Sequence, residues 1–215
     1  MGAFIILWIF YIVSVVSFVS VLLGWAKWRH SSDAMQSLTT LVTYTFISNM
    51  ASYATASHSI HNDFLLTIYA VVAFPAVAVI FSYWIPTRYQ QLLLYKIVPI
   101  FFSLNILIIS FGQGYFEVPQ AISLALTSLL LVGLSFYILL DLLLNPPSHP
   151  AYRDERFWVA AGVFVYYSGN ALVYAGVLDG VMNEIWIIHN VLNIGAFLCY
   201  MIGYTCIPRP RTSLS

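Results

Sequence analysis

The chain has 215 residues, of which 61% are hydrophobic and only 7% are charged. Soluble domains carry charge on about a quarter of their residues, so this composition excludes a soluble catalytic domain and is typical of an integral membrane protein. The 8 basic and 8 acidic residues give a formal net charge of zero, which provides no reason to expect a nucleic acid as partner.

Long apolar runs follow one another along the chain and predict transmembrane helices rather than the alternating strands of a barrel. Each run has about 20 residues, which matches a hydrocarbon core of about 30 Å. Seven spans are predicted, at 3–25, 38–57, 64–85, 92–111, 121–144, 157–177 and 185–206. The expected architecture is therefore an all-α, polytopic seven-helix bundle over residues 1–206, followed by a short cytoplasmic tail at 207–215.

The basic residues all fall on one side of these seven spans. They are Lys27, Arg29, Arg88, Lys96, Arg153, Arg156, Arg209 and Arg211. The opposite loops contain four acids and no basic residue; the acids are Asp63, Glu117, Asp179 and Glu184. Because Lys and Arg near short loops stay in the cytoplasm, we expect the N-terminus outside and the C-terminus inside, in the inner membrane of a bacterium.

Polar residues recur at helical spacing in spans two, six and seven. Such groups are costly in lipid, so they should face protein, water or a ligand. The residues predicted to bind a ligand are Asn49, Tyr53, Tyr166, Asn170, Tyr174, His189, Asn190 and Asn193. In the expected orientation they lie in the outer half of the membrane, which predicts an outward-opening polar pocket. The alternative is that they join helices by hydrogen bonds of about 0.6 kcal/mol each.

A metal site is a second interpretation of this outer region. His58 and His61 lie three residues apart, His189 lies about one turn inside span seven, and Asp63 and Glu184 are near the same rim. Imidazole with carboxylate suits zinc, copper, iron or nickel, and haem is a related possibility. The alternative is that His58 and His61 are solvated residues at a helix end.

The remaining features concern packing and excluded chemistry. Gly195, Cys199 and Gly203 form a small-residue stripe that predicts close approach of another helix, within the bundle or across a homodimer. Retinal is not expected, because a retinal protein needs a lysine in its last helix and both lysines, Lys27 and Lys96, are on the cytoplasmic side. Common protease, hydrolase and nucleotide-binding motifs are absent, so an enzyme is the less favoured interpretation.

Three short runs in spans six and seven carry a resemblance. They are Phe-Trp-Val at 157–159, Tyr-Tyr-Ser-Gly-Asn at 166–170 and Trp-Ile-Ile-His-Asn-Val-Leu-Asn-Ile at 186–194. The chain resembles a group of little-characterised bacterial seven-helix membrane proteins, found alone or as the membrane input modules of sensor histidine kinases. The resemblance implies a sensory or receptor-like bundle with four signature positions, Asn170, His189, Asn190 and Asn193. The chain departs from the sensor kinases in that no kinase follows Ser215, so we expect either that a separate partner receives the signal or that the protein does something else.

Three functions are therefore considered for this bundle. The first is a receptor that binds a small or lipid-like ligand in the outer-leaflet pocket and signals to a cytoplasmic or membrane partner. The second is a metal- or haem-binding membrane enzyme or redox protein. The third is a carrier, or a subunit of a larger membrane complex. The lipid bilayer is the partner common to all three.

Overall fold

The computed structural model describes residues 2–58, 63–111, 117–178 and 185–207, and every regular element in these ranges is helical. Seven helices follow one another. They are α1 (Gly2–Lys27), α2 (Asp33–Ser57), α3 (Asp63–Ser82), α4 (the continuous segments Thr87–Leu92, Leu93–Ile97 and Val98–Phe111), α5 (Glu117–Leu144), α6 (Glu155–Leu178) and α7 (Ile185–Cys206). Two short 3₁₀ turns, Trp28–His30 and Ala151–Arg153, lie after α1 and before α6.

Four of these helices are long and apolar enough to cross a membrane. Their apolar segments are Trp8–His30, Thr87–Ile108, Ile122–Leu144 and Ile187–Cys206. The outer surface agrees with this, since large apolar side chains stand 60% to 76% exposed at Val15, Ile100, Leu143 and Leu172. Water-soluble proteins rarely expose apolar surface so widely. The prediction of an all-helical membrane protein is confirmed, while seven crossings and their orientation stay predictions.

Six helices form a closed ring. Neighbours pack in the order α1, α2, α3, α5, α6 and α7, and α7 returns to α1. The helix α4 lies outside this ring and contacts α3 and α5. Buried apolar side chains fill the ring, among them Leu38, Phe74, Phe81, Leu131, Val159 and Phe197. The ring brings α2 and α3 face to face with α6 and α7, the two helices that carry the resemblance.

The helix α4 widens at Leu93–Ile97, where the backbone adopts a π turn. Pro99 follows two residues later. Proline has no backbone N–H, and in a regular α-helix its ring would meet the carbonyl four residues earlier, that of Tyr95. Kinks and π turns commonly occur where a proline interrupts the ladder of hydrogen bonds. The π turn therefore lets α4 continue through Pro99 as one helix.

Close approach of α6 and α7 depends on glycines of α6 rather than on the stripe predicted on α7. A Cβ added to Gly162 would lie 2.7 Å from Cε1 of Tyr200, and one added to Gly169 would overlap Cδ1 of Leu192. At Gly195 an added Cβ would meet nothing within 4 Å, and at Gly203 it would make only ordinary contacts. Gly195 is therefore not needed for close approach within the bundle, and close approach across a homodimer stays a prediction.

Candidate functional site

Two small cavities lie in the interior of the ring, between α2 and α3 on one side and α6 and α7 on the other. The polar cavity, of about 50 Å³, is lined by Ser48, Asn49, Ser52, Leu65, Tyr69, Tyr166 and His189. The tyrosine cavity, of about 20 Å³, shares Tyr69 and Tyr166 and is also lined by Thr45, Tyr167, Asn193 and Tyr200. A polar cavity of this size has room for one or a few water-sized molecules.

His189 is held in place by α6. Its Nδ1 lies 2.8 Å from Oδ1 of Asn170, a residue only 2% exposed. An amide oxygen accepts but does not donate, so Nδ1 carries the proton and donates to Asn170. The Tyr166 ring lies 5.6 Å from the imidazole, centroid to centroid. These contacts fix the position of the imidazole at the wall of the polar cavity.

Asn49 contributes the one unpaired amide of the polar cavity among the described residues. Its Nδ2 is buried and has no hydrogen-bond partner. Leaving a buried donor unpaired costs about 1–3 kcal/mol, so proteins rarely keep one without a compensating purpose. The cavity therefore offers a hydrogen-bond donor to any small molecule that enters it.

Tyr69 connects the two cavities and was missed by the sequence analysis. Its side chain lines the tyrosine cavity together with those of Thr45, Tyr166 and Tyr167. Thr45 in turn donates to the carbonyl oxygen of Leu41 at 2.9 Å. Tyr69 is not part of a polar stripe on its own helix, so spacing gave no signal. Only the closure of the ring, which brings α3 to the same cavity as α6 and α7, reveals its position.

The predicted ligand-binding residues divide into two groups. The structure brings Asn49, Tyr166 and His189 to the polar cavity, Asn193 to the tyrosine cavity and Asn170 to the wall behind His189. Tyr53 lies elsewhere, because it is 42% exposed and its ring stacks on Phe10 of α1 at 4.3 Å. Asn190 is half-buried and lines neither cavity, and the side chain of Tyr174 lies outside the described part of the chain.

The predicted metal ligands are not gathered by the part of the chain that the structure describes. Within that part, no three His, Cys, Asp or Glu side chains lie close enough together to hold a metal ion. His58 is exposed at the C-terminal end of α2, while His189 is half-buried and bonded to Asn170. His61 lies outside the described residues, so metal or haem ligation by His58, His61 and His189 stays a prediction.

Comparison of the chain with protein-family models, with curated proteins and with solved structures finds no match. Its function has to be inferred from the residues of the bundle themselves.

Proposed function

We propose that this chain is a receptor- or sensor-like bundle of the bacterial inner membrane that binds a small ligand in the polar cavity. In this proposal it crosses the membrane seven times, with its N-terminus outside and its C-terminus in the cytoplasm. The distribution of Lys and Arg on one side of the seven predicted spans supports this topology. A separate cytoplasmic or membrane protein receives the signal.

The observation that carries the proposal is the unpaired Nδ2 of Asn49 beside the polar cavity. A helix interface that needed only packing would use an apolar residue there, because an unpaired amide costs free energy without adding a contact. A ligand with a hydrogen-bond acceptor satisfies this donor. The same molecule meets the serines of α2 and the imidazole of His189 across the cavity.

The polar cavity is so small that a ligand can bind only if the helices move, and this movement connects binding to signalling. Pockets for drug-sized ligands have volumes of about 300–1,000 Å³, far more than the roughly 50 Å³ available here. A ligand larger than a few water molecules must therefore move α2 and α3 away from α6 and α7. A ligand shifts a conformational equilibrium only as far as it binds one state better than the other. Here that preference arises because the closed arrangement excludes the ligand.

The helices that hold the cavity also form the opposite end of the bundle. From the Asn170–His189 pair, α6 runs back to Glu155 and α7 runs on to Cys206. Cys206 Sγ lies 3.7 Å from the carbonyl oxygen of Tyr152, in the turn before α6. A shift of α6 against α7 at the cavity is therefore expected at this end, where the exposed Arg153 is available to a partner.

The test is a ligand screen on the purified protein in lipid nanodiscs, using small uncharged amides, alcohols and ketones and scoring thermal stabilisation. A true ligand should bind the Asn49→Leu variant about fivefold more weakly, which corresponds to one net hydrogen bond of about 1 kcal/mol. The control is Tyr53→Phe, which changes a predicted binding residue that lies on the outer surface. This variant should bind the ligand as tightly as wild type. Equal binding by Asn49→Leu and wild type would place the ligand elsewhere.

Signalling is tested separately with the ligand from this screen. Spin labels at Lys27→Cys and Tyr152→Cys, in a background with both native cysteines replaced by alanine, report the distance between the ends of α1 and α6. The ligand should change this distance distribution in the labelled protein whose cavity residues are all native. It should leave the distribution unchanged in the labelled Asn49→Leu variant. Binding without any change in distance would remove the receptor assignment and leave only a binding site.

A further inference from the structure

A recess larger than the two interior cavities lies at one end of the bundle, away from both of them. It has a volume of about 420 Å³ and is lined by Trp84, His149, Arg153, Asp154, Glu155 and Arg156, with Cys206 at its edge. The apolar segment Ile187–Cys206 ends in this recess, and Ile122–Leu144 ends five residues before His149, so the recess lies at the predicted boundary between membrane and water. Trp84 and the exposed Tyr152 are of the type that anchors proteins at headgroup depth.

Two of the charges in this recess neutralise each other. Asp154 accepts hydrogen bonds from Nε and from a terminal nitrogen of Arg156 at 3.0 and 2.8 Å, and also from the backbone N–H of Arg156 at 2.9 Å. Partial burial alone would raise the pKa of Asp154, but these bonds and the positive charge of Arg156 outweigh it and hold the pKa below its ordinary value. Neither side chain is therefore free to attract a ligand.

The second carboxylate in the recess is committed to a different helix. Glu155 accepts a hydrogen bond of 2.8 Å from the hydroxyl of Ser32, in the turn between α1 and α2. Burial raises the pKa of Glu155, which means that the surroundings disfavour its charge. This carboxylate is thus engaged by Ser32 rather than by Arg153.

Arg153 is left as the unmatched cation. It is exposed, and among the described residues its guanidinium pairs with no carboxylate and lies 5.8 Å from the centroid of the Tyr152 ring. His149 stands beside it in the loop, with Nδ1 3.4 Å from the carbonyl oxygen of Pro150. A guanidinium binds phosphate oxygens with two parallel N–H groups, a geometry that ammonium groups lack.

We propose that this recess binds the headgroup phosphate of an anionic phospholipid, with Arg153 as its main ligand. The acyl chains would lie on apolar surface at the same boundary, where Leu143 and Leu144 at the end of α5 are strongly exposed. A lipid is favoured over a soluble phosphate because the recess opens at the membrane surface, where the local concentration of headgroups is high. Basic residues at an anionic membrane surface contribute about 1 kcal/mol each.

The experiment is native mass spectrometry of the full-length protein released from nanodiscs that contain equal amounts of phosphatidylglycerol and phosphatidylcholine. Wild type should retain phosphatidylglycerol in preference to phosphatidylcholine. Arg153→Gln should reduce this preference about fivefold, the equivalent of the roughly 1 kcal/mol expected for one basic residue. Arg153→Lys should retain part of the preference, because it keeps the charge but loses the two-pronged contact.

Arg88→Gln is the matched control, since it removes one exposed positive charge that lies outside the recess and over the Tyr89 ring at 4.6 Å. It should leave lipid retention unchanged. Equal retention of both lipids by wild type, or an equal loss in Arg88→Gln and Arg153→Gln, would overturn the proposal in favour of general surface charge. Protection of the detergent-solubilised protein by inorganic phosphate, without lipid preference, would overturn the choice of a lipid.

Discussion

His189 of α7 donates its Nδ1 proton to the amide oxygen of Asn170 on α6 across 2.8 Å, in the interior of a helix ring. Asn170 lies four residues after Tyr166, which lines the polar cavity together with His189. The pair therefore has two consequences: it ties α6 to α7, and it orients the imidazole against the cavity. Each consequence can be measured separately.

The contribution of this pair to stability should be small but measurable. In a double-mutant cycle with Asn170→Ala and His189→Ala, we expect a coupling free energy of unfolding of about 0.6 kcal/mol, and at most about 1.7 kcal/mol. Reversible unfolding in mixed micelles is the measurement. The exposed pair Asp141 and Asn145, joined at 2.9 Å at the end of α5, is the control and should show coupling near zero.

Asn49→Leu and Asn170→Leu should change the free energy of unfolding in opposite directions. Replacing Asn49 removes a buried donor that has no partner, so the free energy of unfolding of the ligand-free protein should rise by about 1 kcal/mol. Replacing Asn170 leaves the Nδ1 proton of His189 unpaired and should lower the free energy of unfolding by about 1–3 kcal/mol. If both variants lose stability equally, Asn49 has a structural partner and the polar cavity loses its recognition group.

The helices themselves could be predicted well from the sequence. The predicted span 185–206 coincides with α7, and the predicted 121–144 lies within α5. The predicted spans mainly omitted the polar ends of the helices. For example, α2 begins at Asp33 rather than at residue 38, because a helix can continue into water after its apolar stretch has ended. Hydropathy reports the hydrocarbon thickness and not the length of the helix.

The candidate site could be predicted only in part. Of the residues chosen by their spacing, Asn49 and Asn193 line the interior cavities, whereas the ring of Tyr53 stacks on Phe10 of α1. Spacing of four drifts by about 40° per step around a helix of 3.6 residues per turn, so a stripe does not define one direction. Tyr69 was missed because the spacing of residues within one helix does not show which helices come together in the fold.

Gly162→Ala tests the contact that brings α6 close to α7. Its new methyl group would meet the Tyr200 ring and lie 3.2 Å from the carbonyl oxygen of Ala196, which cannot move without its helix. We expect a loss of about 1–3 kcal/mol in the free energy of unfolding from overpacking. Gly195→Ala is the control on α7: with open space around it, the better helix former should add about 0.5–1 kcal/mol.

Glu155 gives the stability of the protein a pH dependence of known sign. Burial raises its pKa above the ordinary value of 4.5, so the folded protein binds this proton more tightly than the unfolded chain. Stability should therefore fall as pH rises from the ordinary value through the raised one, and then level off. Glu155→Gln keeps the contact with Ser32 but cannot ionise, so it should be more stable than wild type at neutral pH.

The measurement is the midpoint of thermal unfolding of both proteins from about pH 5 to about pH 8, a window above the titration of Asp154. The advantage of Glu155→Gln should grow as pH increases within that window. Ser32→Ala should extend the fall of wild type to higher pH, because the hydrogen bond from Ser32 opposes the rise in pKa. Parallel curves for wild type and Glu155→Gln would show that this carboxylate titrates normally.

The number of crossings determines where the two termini lie. Seven spans place them on opposite sides of the membrane, whereas crossing by only the four most apolar helices would place them on the same side. With epitope tags at each end, protease added to intact spheroplasts should remove the N-terminal tag and spare the C-terminal one. A third tag inserted at Ser148, between α5 and α6, should also be protected, because an odd number of spans precedes it. If only α1, α4, α5 and α7 crossed, three spans would precede Ser148, so the two terminal tags would share one fate and the Ser148 tag would have the other. That result would overturn the seven-span topology and with it the outward-facing pocket.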